Sequence, residues 1–144
     1  MDELVYKFAE NEIEYDGVRE VRRHVFVEEQ GIHENLVFGG DLKDDETLVV
    51  VLDGQSVIGT ARIVFSSHDT AKIERMAVLD KFRNHGIGRK MMVFMISELK
   101  NLGFNKVYLH AQLTAVDFYR YCGFGATGRP FKEAGIKHIK MELR

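Results

Sequence analysis

Glu74-Arg75-Met76-Ala77-Val78-Leu79-Asp80-Lys81-Phe82-Arg83-Asn84-His85-Gly86-Ile87-Gly88-Arg89-Lys90 is the stretch that decides how this 144-residue chain folds. It reads as a strand, a short connection, and then Arg-x-x-Gly-x-Gly opening a helix. Backbone N–H groups at a helix start have no intrahelical acceptor, and the aligned peptide dipoles add partial positive charge there. Glycine lets the backbone approach a phosphate and take φ > 0. Arg83, Arg89 and Lys90 bring cations to the same neighbourhood, so the turn suits an anion such as a pyrophosphate. A tight turn with no ligand would use the same glycines. The spacing excludes two familiar alternatives: no Gly-Lys-Ser/Thr end completes a P-loop, and no third glycine completes a dinucleotide fingerprint.

Working outward, Arg89–Asn101 is the clearest helix, with Met91, Met92, Phe94, Met95, Ile96 and Leu99 apolar and Gly103 where a helix should stop. Upstream, Leu4–Ala9 alternates as a first strand, and Asp16–Val27 has helical spacing with Asp16 as its expected N-cap. Gln30–Gly40 reads as irregular. Thr47–Leu52 and Val57–Phe65 form a hairpin around Asp53-Gly54. A turn near Ser66–Asp69 leads to the strand Lys72–Val78. Downstream, Lys106–His110 is a strand, Ala115–Cys122 a short helix and Lys137–Leu143 a last strand. A helix between two neighbouring strands is the connection that parallel pairing requires. The expected fold is therefore α/β, one domain over residues 1–144 with a mixed, partly parallel sheet flanked by helices.

Composition narrows the function. With 45% apolar and 29% charged residues the chain is of globular type. Twenty Lys and Arg are balanced by 22 Asp and Glu, without the basic stripe that nucleic-acid binding needs. No apolar run reaches membrane-spanning length, and the acidic N-terminus lacks a signal-peptide core. The single cysteine, Cys122, excludes an internal disulfide and suits a reducing compartment. A cytoplasmic protein with no nucleic-acid and no membrane partner is expected.

A second segment, His110-Ala111-Gln112-Leu113-Thr114-Ala115-Val116-Asp117-Phe118-Tyr119-Arg120-Tyr121-Cys122-Gly123-Phe124, makes the reading specific. Together the two segments resemble the GCN5-related N-acetyltransferase (GNAT) superfamily: Arg-x-x-Gly-x-Gly after a strand ending in Ala-Val, then a strand, then Ala-x-x-Phe-Tyr-x-x-x-Gly-Phe. The resemblance covers about Thr47–Phe124. Val21–Ile32 and Phe131–Met141 look like the ElaA/YjcF-type branch, from which Lys137 departs where that branch often has proline.

The resemblance implies the acyl-CoA N-acyltransferase fold and direct acetyl transfer from acetyl-CoA to a primary amine, with no metal. It implies that backbone groups of Met76, Ala77 and Val78 bind the pantetheine and thioester. It further implies that Asn84, His85, Gly86, Ile87, Gly88 and Arg89 cradle the pyrophosphate, with Arg83 at the same turn as ligand or loop brace. Tyr119 matches the tyrosine that many members use as general acid, against a packing role. Glu74, on the strand face of Lys72 and Met76, matches a water-linked base, against a simple ion pair with Lys72. His110 and Glu28 are candidate substrate-binding residues, His110 also being an alternative base; His138 is discounted as structural, and Cys122 as packing. A small-molecule amine acceptor is expected and a homodimer is admissible. The competing classes are a non-catalytic acyl-CoA binding or sensing domain and a phosphate-binding interaction module. Variable loops build the acceptor pocket, so the sequence leaves the acceptor unnamed.

Overall fold

The computed structural model describes residues 3–38 and 47–144. Its elements in chain order are β1 (Val5–Phe8), α1 (Glu12–Arg22), a π-helical turn (Arg23–Glu29), α2 (Glu34–Phe38), β2 (Thr47–Asp53), β3 (Ser56–Phe65), β4 (Thr70–Val78), α3 (Ile87–Asn101), β5 (Lys106–Gln112), α4 (Val116–Tyr121), β6 (Phe124–Glu133) and β7 (Ile136–Leu143). The strands form one mixed sheet in the order β1-β2-β3-β4-β5-β7-β6. β4 and β5 are parallel, Thr70–Ile73 against Lys106–Leu109, as the α3 crossover requires; β1–β2, β2–β3, β5–β7 and β6–β7 are antiparallel. The chain divides into two compact units, Met1–Ile63 with Arg75–Met91, and Val64–Glu74 with Met92–Arg144.

In the first unit the core is Val21, Val25, Phe26, Val37 and Ala77 beside a second cluster of Val18, Leu48 and Val50. Helix α1 lies close on β3 because Gly17 has no side chain: a Cβ there would sit 2.4 Å from Val57 Cγ2. Its N-cap is Asn11, whose side chain accepts from the Glu14 N–H at 2.9 Å. This corrects the expected start at Asp16. Lys7, paired with Glu14 at 2.9 Å, favours the earlier beginning, while Asp16 lies inside the helix and pairs with Arg19. The helical path continues into the π-turn, where Gln30 N–H reaches back to Val25 O. The expected irregular segment Gln30–Gly40 contains α2, and its last two residues lie outside the described residues.

In the second unit Met92, Met95 and Leu99 of α3 are buried, as are Ile73 of β4, Val107, Leu109 and Ala111 of β5, and Met141 of β7. Each of these side chains other than the small Ala111 is worth about 1.5–3 kcal/mol on burial. α3 ends as its sequence requires: Gly103 takes φ 90° and Phe104 N–H returns to Leu99 O. The strand missing from the sequence reading is β6. Gly125, Gly128 and Pro130 look like turn residues, yet β6 is the last strand of the sheet and tolerates them. Its register against β7 shifts between Thr127 and Phe131, and the Ala134-Gly135 turn, with φ 52° and 76°, closes the hairpin.

Candidate active site

The first unit holds the turn before α3. Asp80–Phe82 is a single 3₁₀ turn, tied to β3 by Leu79 N–H to Ile58 O at 2.9 Å. Asn84 and Gly86 then take φ 66° and 77°, left-handed values that Asn and Gly adopt most readily. Nothing lies within 4 Å of where a Gly86 Cβ would stand, so the backbone here faces open space. The first intrahelical bond runs from Lys90 N–H to Gly86 O, leaving the N–H groups of Ile87 and Gly88 ahead of it at the positive end of the dipole. Asn84, His85, Arg89 and Lys90 are exposed, while Ile87 is buried and anchors the turn. These residues fit a phosphate-bearing group: open backbone, helix N-terminus and adjacent cations.

Arg83 has an internal role. Its guanidinium holds the Glu29 carboxylate with two bonds of 2.7 and 2.8 Å, and its Nε donates to Val78 O at 2.9 Å. A bidentate fork of this kind fixes orientation as well as charge. Of the two readings of Arg83, the geometry favours the brace, with the π-turn as its other end. The expected substrate residue Glu28 is paired with His24 at 2.6 Å, both side chains being more than half exposed.

Arg75 escaped the sequence reading. It sits inside β4 at φ 51°, a costly conformation for a residue with a Cβ. Its guanidinium donates to Val37 O at 2.5 Å and to Leu36 O, the terminal carbonyls of α2. A left-handed residue within a strand turns the peptide groups that adjoin it, and Met76 follows Arg75 directly. No sequence signal marks it, since arginine is not a residue chosen for positive φ.

The second unit holds the titratable side chains. Tyr119, on α4, is half-buried with its ring against Phe118 at 5.1 Å and Phe124 at 6.3 Å. Burial, reinforced by the negative charge that Cys122 one turn on carries as a thiolate, pushes its phenol up to about 12. The hydroxyl therefore stays protonated at neutral pH. The shift favours the protonated fold, so its contribution to stability is full below pH 10 and lost as pH rises toward 12. Tyr121, by contrast, is 69% exposed. Glu74 pairs with Lys72 at 3.3 Å, both partly buried. His110, on β5, has Nδ1 at 3.0 Å from Glu133 Oε1, a partner from β6 that sequence reading did not supply. Among the described residues no group of three His, Cys, Asp or Glu side chains is arranged to hold a metal, and no helix is long and apolar enough to cross a membrane.

The domain family described as acetyltransferase (GNAT) matches residues 7–144. YjcF of Bacillus subtilis, named as an N-acetyltransferase, is 31% identical over 134 residues, covering 92% of this chain and 94% of that protein. ElaA of Escherichia coli is 30% identical over 125 residues, 85% and 82% of the two chains. A crystal structure assigned as an N-acetyltransferase from Lactobacillus plantarum superposes with a TM-score of 0.91 at 26% identity, over 99% of this chain and 98% of that one.

Proposed function

The chain belongs to the acetyltransferase (GNAT) family, and we propose that it transfers the acetyl group of acetyl-CoA directly to a primary amine of a small molecule. The observation that carries this reading is the Asn84–Gly88 turn, where open backbone and the start of α3 offer N–H groups to a pyrophosphate. His85, Gly86, Ile87 and Gly88 bind it through the backbone, Asn84 and Arg89 flank it, and Arg83 holds the turn to Glu29. Met76, Ala77 and Val78, which follow Arg75 in β4, bind the pantetheine arm through backbone groups. The cosubstrate supplies an activated acyl carbon.

An amine arriving as an ammonium must lose one proton before attack and a second once the C–N bond has formed. Glu74 takes the first through a water, and His110 and Glu28 contact the acceptor. Tyr119, held protonated at neutral pH, gives its proton to the departing thiolate. Cys122 forms no covalent intermediate. The single family domain extends over both compact units, and the protein works in the cytoplasm.

The test is acetyl-CoA mixed with a panel of polyamines, amino sugars and amino acids while free thiol is followed. Amine-dependent thiol release is expected. Coenzyme A binding with no turnover across the panel supports the sensing domain instead; no binding at all removes the acetyltransferase assignment.

A further inference from the structure

His110, Glu133 and His138 form a titratable cluster on one face of the second unit's sheet. One oxygen of Glu133 is 3.0 Å from His110 Nδ1, and the other is 3.8 Å from His138 Nε2. An ionised carboxylate only accepts, so the hydrogen of the shorter contact sits on His110 Nδ1 and leaves Nε2 bare. His138 is 7% exposed and held from behind, its Nδ1 donating to Ile136 O at 2.7 Å. Phe131 stacks on His138 with centroids 6.1 Å apart and meets His110 edge-on at 4.9 Å. The shifted β6 register makes this possible, by setting Phe131 opposite His138 and Glu133 opposite Ile136. Other charged groups on this face are Lys140, in register with His110 and with its ammonium over the Tyr108 ring, Glu142 opposite Tyr108, and the Lys72–Glu74 pair.

We infer that Glu133 is a positioning residue which fixes His110 in its Nδ1–H form so that Nε2 takes the second proton of the acceptor amine. This rests on the transfer reading above. As the amine nitrogen bonds to the acyl carbon, the C–S electrons leave with sulfur, which takes the Tyr119 proton. The proton now in excess on nitrogen passes to His110 Nε2. Glu133 stays ionised and offsets the imidazolium charge, as the carboxylate of a catalytic triad does.

The tautomer is read on the full chain, without ligand, by long-range ¹H–¹⁵N correlation of the imidazole nitrogens. His110 is expected as Nδ1–H in the parent and in Glu133→Gln, whose amide oxygen still accepts. In Glu133→Ala it should revert to Nε2–H, the form a free imidazole favours. With the best amine of the panel, kcat should fall about 10- to 100-fold in Glu133→Ala, the usual range for lost positioning partners. The KM for acetyl-CoA should be unchanged, and Glu133→Gln should recover part of the loss. A parent already in the Nε2–H form, or a Glu133→Ala variant that stays Nδ1–H, overturns the inference. So does full activity in His110→Ala. If the parent acetylates no amine, the transfer reading fails, and the proton-acceptor role with it. The spectrum still decides whether Glu133 sets His110.

Discussion

The turn before α3 and the face shared by β5 and the β6–β7 hairpin do different work by different means. The turn acts through its backbone: Asn84 and Gly86 supply left-handed angles, α3 supplies N–H groups and a dipole, and side chains brace it from outside. The other face acts through side chains, an imidazole and a carboxylate 23 positions apart in the chain and brought within 3.0 Å by strand register. A backbone site is made by consecutive residues and leaves a local pattern. A side-chain site is made by pairing, and leaves none.

The largest test of this contrast is Tyr119→Phe, which keeps the ring against Phe118 and Phe124 and removes only the acidic hydroxyl. General acid catalysis is worth about 10²–10⁴ in rate. At saturating acetyl-CoA and amine, kcat should drop by that order while coenzyme A affinity holds. Cys122→Ala should keep its activity; a folded but dead Cys122→Ala would move the chemistry to the thiol.

Next in size is Gly86→Val. A β-branched residue held at φ 77° costs on the order of 1–3 kcal/mol, so calorimetry should show coenzyme A binding weakened about tenfold or more. Unchanged affinity would mean that the turn does not carry the cofactor.

The smallest effect separates brace from ligand. Exposed ion pairs contribute about 0.2–1 kcal/mol, so Glu29→Ala should weaken coenzyme A binding by no more than about fivefold. Arg83→Ala should do only a little worse, having also lost the bond to Val78 O. A far larger loss in Arg83→Ala than in Glu29→Ala would make Arg83 a direct pyrophosphate ligand.

Much of the molecule was legible from its letters. The Asp53-Gly54 hairpin, the α3 stripe with its Gly103 stop and the parallel β4–β5 pair all follow from local chemistry, because each signal and its structure share the same few residues. Asn11 was missed as a cap because the apolar spacing of α1 becomes clear only at Val18. β6 was missed because glycine and proline in an edge strand look like a turn until the edge is known.

The sequence by itself determined the acetyltransferase family, the glycine turn at the head of α3 and the tyrosine on α4. Tertiary structure alone decided that Arg83 holds Glu29, that Arg75 takes a left-handed angle in β4 while holding carbonyls of α2, and that Glu133 meets both His110 and His138. Each of these contacts joins residues from different elements, and their meeting depends on register, bulge and packing, which no short window of sequence contains.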